Sequence, residues 1–364
     1  MAAINAKARG LSCAFHHPPP SAISLDLGGV GILVRTALMF AAAAAVSVPA
    51  WATCPSPYDA GSCTPNGGLI CSASGAQVTC QLDAGTATPT SGASVEAYSY
   101  TSGGNPWFRL MGTDDASGTI CCEIDMTQMS AVLIVGTDDD DTISLYYGAT
   151  NLENVTCTVE ANSGNDDVNG SSDTTSYSET LRGESGSDTI DGRLGDDVLE
   201  GGDHVDTITG GDGNDTIFGG YGMDTLSGDE GNDTIYGDFA SDPSSGDADD
   251  IYGGGGNDTC EGGGGDDWMG GGDGVDVLSG GDGDDGIKGG AGNDTLNGGE
   301  GDDSVCGQAG MDDVNGDNGD YDQVYQYPSS GMGSDTADGG VGTNDRCGAP
   351  GSNCEGATLS ACPI

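Results

Sequence analysis

The chain is poor in the residues on which most catalytic and nucleic-acid-binding proteins depend. Of 364 residues only three are histidine (His16, His17 and His204), and eight are lysine or arginine against 59 acidic ones. No H-E-x-x-H metalloprotease helix can therefore be written, and no G-x-S-x-G elbow occurs for a serine nucleophile. The formal charge of −51 repels nucleic acid and anionic membrane surfaces alike, which excludes both as electrostatic partners and suits a chain that binds cations. Aromatics make up 5% of the chain while glycine numbers 68. A thick core of the usual kind is then out of reach, and metal or disulfides have to hold the fold. Carboxylate pairs such as Asp266–Asp267 could serve glycoside hydrolysis, which needs only two acids. Their repetition makes metal ligation the simpler account, and the chain reads as non-enzymatic.

What is present is a nine-residue repeat, G-G-x-G-x-D-x-U-x with U apolar. Complete units begin at Gly183, Gly192, Gly201, Gly210, Gly219 and Gly228, and resume after an insertion at Gly253, Gly262, Gly271, Gly280, Gly289, Gly298 and Gly307. In all thirteen the first residue is Gly, the sixth Asp and the eighth apolar; the fourth is Gly except at His204. Such a period marks a solenoid. The glycines supply positive φ angles for a tight turn, and the last three residues suffice for a short strand with one side chain inward. A lone unit cannot bury its apolar residue, so units must stack. If two units make one coil turn, Asp188, Asp206 and Asp224 form one column and Asp197, Asp215 and Asp233 another. Columns of carboxylates repel unless a cation lies between them, and carboxylate plus carbonyl oxygens suit Ca²⁺ better than zinc or copper.

These residues resemble the RTX (hemolysin-type, calcium-binding) nonapeptide family. The resemblance covers Gly183 to Asn315, with weaker copies outside. It implies an all-β fold, a right-handed parallel β-roll in which G-G-x-G-x-D is the calcium-binding turn, x-U-x is the strand, and multiple Ca²⁺ ions sit between turns of alternate units. The expected ligands are the sixth-position carboxylates: Asp188, Asp197, Asp206, Asp215, Asp224, Asp233, Asp249, Asp258, Asp267, Asp276, Asp285, Asp294, Asp303 and Asp312. No specific activity comes with the resemblance, since such repeats accompany proteases, lipases, toxins, adhesins and surface-layer proteins. The competing reading is an acidic disordered tail, which would not need an apolar residue at every eighth position. Without calcium, disorder is the expected state.

Taken in order, residues 1–52 read as a targeting region. Arg35, the apolar run from Ala37 to Ala50, and Ala50-Trp51-Ala52 fit a secretory signal peptide with a start near Val34. A membrane anchor is the alternative, but the run is too short and alanine-rich to span comfortably. A lipid anchor on Cys54 is disfavoured by Trp51 three residues before it. Twelve cysteines follow the signal, an even number that argues for disulfides in an oxidising compartment. Zinc is the weaker alternative, because no C-x-x-C pair exists. Residues 53–135 read as a Cys-rich β cap in which Tyr98-Ser99-Tyr100 and Trp107-Phe108 either fill a small core or stack on carbohydrate. Residues 136–182 are degenerate repeats, with Gly136–Ser144 and Ala161–Asn169 in frame. Residues 183–320 are the roll, bulged by an insertion at 237–252, and 321–364 form a Cys-containing C-terminal cap. Many RTX proteins are almost free of cysteine and leave the cell on an uncleaved C-terminal signal; the cysteines and N-terminal signal here favour general secretion instead. The expectation is a secreted or cell-surface calcium-binding protein. The alternatives are an adhesin or surface-matrix component with the roll as spacer and an unknown surface or glycan partner, or a carbohydrate-active enzyme sited in 53–135.

Overall fold

The structure is a computed structural model. It describes residues 131–147, 155–172, 177–239 and 246–319, together with strands on either side of them. Residues 1–52, read above as a targeting region, and Cys54 lie outside the described residues, as does nearly all of the C-terminal tail. The same holds for the side chains of the Tyr98–Tyr100 and Trp107–Phe108 clusters. Every described element is a strand. Two long sheets hold thirteen and fourteen of them, and from the strand Ala131–Val135 onward consecutive strands alternate between the sheets. Each nine-residue unit therefore contributes one strand, and two units complete one turn of a parallel β-solenoid. Strand Thr189–Leu194 pairs in parallel with Thr207–Asp212, so Ile190 lies beside Ile208.

The core follows from the eighth position. In one sheet Ile190, Ile208, Leu226, Ile251, Met269, Ile287 and Val305 form an inward column; in the other Leu181, Leu199, Ile217, Ile235, Cys260, Leu278, Leu296 and Val314 do the same. All are about fully buried, 0–1% exposed. One aliphatic side chain per strand is thin, but burying each stabilises by roughly 1.5–3 kcal/mol, and the columns run the length of the stack.

The strands are longer than the pattern x-U-x suggests. Thr207–Asp212 spans six residues, reaching through the first three of the next unit, so only positions four to six are left as turn. Register explains this: Gly211 pairs with Asp229 and Asp212 with Glu230, continuing the ladder past the apolar residue. Position one is passed over by the pairing and is buried on the inner side, as at Gly210 and Gly219.

The insertion does not interrupt the stack. Thr225 pairs with Asp250 and Thr234 with Thr259, each 25 residues on instead of 18, and both sheets continue. At the N-terminal end the ladders turn antiparallel. Strand β1 (Leu69–Ser74) forms a hairpin with β2 (Gln77–Leu82), which adds in parallel to β6 (Ala131–Val135). On the other sheet β3 (Ser94–Ser102), β4 (Asn105–Thr113) and β5 (Thr119–Asp125) make an antiparallel meander that adds through β3 to β7 (Thr142–Tyr147). Both solenoid ladders thus end in hairpin strands instead of further coils.

Cysteine pairing is not uniform. Cys306 is disulfide-bonded, whereas Cys260 is a free, buried thiol. Its place explains this. An eighth-position side chain points into the core between Ile235 and Leu278, where sulfur acts as a small apolar group. The even cysteine count therefore does not translate into complete pairing.

Candidate metal centre in the stacked turns

Each turn is held by its sixth-position carboxylate. Along one edge run Asp141, Asp166, Asp188, Asp206, Asp224, Asp249, Asp267, Asp285 and Asp303. Each carboxylate from Asp166 onward accepts at Oδ1 the backbone N–H of the residue before it in this column. Along the other run Glu179, Asp197, Asp215, Asp233, Asp258, Asp276, Asp294 and Asp312, joined in the same way from Asp197 onward. The donor–acceptor distances are 2.6–3.1 Å. All fourteen residues singled out by the repeat lie in these columns and are buried. Sequence spacing also put Asp141 and Asp166 in frame. Glu179 was missed, because its unit has no glycine; the signal was Leu181 at the eighth position, two residues beyond it.

The other carboxyl oxygen is the chemically telling one. Oδ2 of Asp188, Asp197, Asp206, Asp215, Asp224, Asp233, Asp249, Asp258, Asp267, Asp276, Asp285 and Asp294 is buried with no hydrogen-bond partner in the protein. These atoms face the first-position glycines. A Cβ placed on Gly219 would lie 2.5 Å from Asp224 Oδ2 and 2.6 Å from the carbonyl oxygen of Gly237; on Gly271 it would lie 2.5 Å from both Asp276 Oδ2 and the Gly289 carbonyl. A carboxyl oxygen and a main-chain carbonyl thus converge where a side chain is missing. None of these first-position glycines has positive φ, so their requirement is space. Positive φ belongs to positions two and four, as at Gly220 (+121°) and Gly222 (+131°).

Burial makes these columns costly as bare anions. Desolvation, with added repulsion from neighbouring carboxylates and against the stabilising N–H bond, pushes Asp215 up to about 7 and Asp224 and Asp249 up to about 8. Asp188 and Asp276 are raised for the same leading reason. A buried carboxylate stays ionised only beside positive charge. Among the described residues no three His, Cys, Asp or Glu side chains converge as a metal cluster. Any ion between the turns must therefore draw on carbonyl oxygens as well, which selects a hard cation with a large oxygen shell.

Family comparison agrees with this donor set. The model of the RTX calcium-binding nonapeptide repeat matches at residues 173–208, 200–235, 218–242, 244–269, 270–305 and 289–321. Residues 173–321 are RTX calcium-binding repeats. No curated protein matches the chain.

Two details of the RTX array were not legible beforehand. The fifth position carries an external ladder: Asn232 N–H donates to Asn214 Oδ1 and Asn257 N–H to Asn232 Oδ1, while Asp302 N–H donates to Asp284 Oδ1. This separates the pair Asp266–Asp267, since Asp266 is exposed and accepts from Asp284 N–H while Asp267 is buried in the column. The second detail is His204, which takes the fourth-position conformation at φ +88°. Its N–H still donates to Tyr221 O at 2.6 Å and its ring is exposed with Nδ1 against the Asp203 carbonyl. The turn survives the substitution, and Asp206 keeps its place.

Proposed function

We propose that this is an exported calcium-binding protein whose RTX array folds when calcium enters the stacked turns. The observation that carries the reading is the pair of continuous columns of buried Oδ2 atoms, each facing a main-chain carbonyl across a missing side chain. Sixth-position aspartates would supply one carboxyl oxygen each, and carbonyls of neighbouring turns would complete the shell. A divalent ion contributes the positive charge that lets these carboxylates remain ionised out of water, so its binding free energy is also folding free energy. Millimolar calcium outside a cell satisfies sites of modest affinity that cytosolic calcium would leave empty. The chain would therefore remain unfolded through export and set afterwards. The scarcity of histidine and the absence of a nucleophile motif support a structural, non-catalytic role.

The test is a calcium titration of the full chain, stripped with chelator, followed by far-UV circular dichroism and repeated with magnesium. A cooperative gain of β signal with calcium, absent with magnesium, is expected. No gain, or an equal response to magnesium, would overturn the reading.

A further inference from the structure

The first coil of the solenoid differs from those above it. In the turn at Gly136 the position-two residue is Thr137. Its N–H donates to Asp141 Oδ2 at 2.6 Å, and its hydroxyl lies 3.1 Å from both carboxyl oxygens. The oxygen left without a partner in the RTX turns is here satisfied by the chain itself. In the turn stacked on it, position one is Ala161, fully buried, so a methyl group stands where later turns have none. Position two of that turn is Asn162, whose amide donates to the Gly136 carbonyl at 2.8 Å.

The opposite edge has the same arrangement with a different residue. Gly170 precedes Gly192 in the position-one column, and the position-two residue above it is Arg193. Its Nη1 donates to the Gly170 carbonyl at 3.1 Å, its Nη2 to Asn169 Oδ1 at 2.8 Å, and its Nε pairs with Asp191. Asn162 and Arg193 both take left-handed backbone, at φ +81° and +71°. Both reach from position two to the position-one carbonyl of the turn beneath. Above Asn162 and Arg193 in the two columns position two is glycine or Glu184, Asp229, Asp238, Gln308 or Asp317, none of which makes that bond. The first carboxyl oxygens without partners are Asp166 Oδ2, in the turn that carries Ala161 and Asn162, and Glu179 Oε1, whose other oxygen faces Ser171 beside Gly170.

We propose that the start of the array, with its Gly136 turn closed by Thr137 and Asn162 and its Gly170 turn closed by the Arg193 guanidinium, is a calcium-independent template in which these side chains replace the ion that later turns require. This rests on the calcium reading above. A solenoid is a one-dimensional stack in which each coil needs a neighbour to bury its face. The costly step is therefore the first coil, and one that forms without metal offers a ready edge on which calcium adds the next. Growth would run from the N-terminal end toward the C-terminus.

Hydrogen–deuterium exchange of the full chain, read by mass spectrometry in chelator and again in calcium, tests this. The expected result in chelator is slow exchange in peptides from 131–147 and 155–170, with peptides from 205–319 exchanging as an unfolded chain; calcium then protects all of them. Equally fast exchange of both regions in chelator, with protection of both in calcium, would overturn the template and leave the calcium reading intact. Protection of the whole array in chelator would overturn both. A Thr137→Val/Asn162→Gly variant and an Arg193→Gly variant, which restores the position-two glycine, should each lose the chelator-stage protection of the first coil while reaching full protection in saturating calcium. Unchanged protection of 131–170 in both variants would also sink the proposal.

Discussion

Gly219 shows how one residue can be required for what it lacks. A methyl group there would press on Asp224 Oδ2 and the Gly237 carbonyl at 2.5 and 2.6 Å, occupying the space between two oxygens of the proposed site. Gly219→Ala is expected to raise the calcium concentration at the folding midpoint, while Gly255→Ala, where the nearest atom is the Glu230 carboxylate at 3.4 Å, should leave it nearly unchanged; calcium titration by circular dichroism checks both. Asp224→Asn separates scaffold from charge. The amide oxygen can still accept the Asp206 N–H, but the anionic ligand is gone. The variant should need more calcium to fold and should lose nothing in chelator, because the neutral amide avoids the desolvation that pushes Asp224 up to about 8. The same shift fixes a pH dependence. Folded pKa values near 7–8, against an ordinary value near 3.8, mean that the folded metal-free chain holds more protons than the unfolded one. Its stability is then fully present below pH 3.8 and is lost as pH rises through 7 to 8. In chelator, β signal should grow as pH falls from 8 to 5, and calcium binding should release protons more readily observed at the lower pH.

At the scale of the strand, one inward side chain carries most of the packing. Ile217 lies fully buried between Leu199 and Ile235, and Ile217→Ala is expected to cost about 2–5 kcal/mol of the calcium-loaded fold, measured by denaturant unfolding in calcium. Cys260 occupies the equivalent place two strands on, and burial pushes its thiol well above the usual range. A thiol reagent should therefore leave Cys260 unlabelled in calcium and modify it after chelation, read by peptide mass. Outward positions contribute local contacts, such as Phe218 stacked on Tyr236 at 5.2 Å and Lys288 over the Trp268 ring at 4.4 Å. These pairs are worth about 0.5–1.5 kcal/mol each and decorate a ladder already set by the inner column.

Across the whole molecule the fold is a stack whose charge and core are both distributed along one axis. The repeat spacing alone was enough to place the sixth-position aspartates in two columns and the eighth-position aliphatics between two sheets, because a strict period leaves each unit only one way to stack. The chemistry of the donors was equally legible, since carboxylates at every ninth residue with converging glycines call for a hard cation. Other features depended on approaches in space that the period does not contain. Strand length doubled because position-two and position-three residues find ladder partners that the x-U-x triplet does not reveal. The first-position glycine proved to be a matter of room instead of backbone conformation, which only the approach of Asp224 Oδ2 and the Gly237 carbonyl could show. Glu179 entered its column although its unit has lost every glycine, since the ladder N–H bond to Asp197 and the inward Leu181 suffice to hold the register. Cys260 stayed free because of the direction it faces, which a cysteine count does not contain. Period, donor type and inward residue were thus determined by the sequence itself. Tertiary structure decided which oxygens are left without partners and which turns complete themselves, because both depend on where side chains reach in space, within a turn for Thr137 on Asp141 and between coils for Asn162 and Arg193.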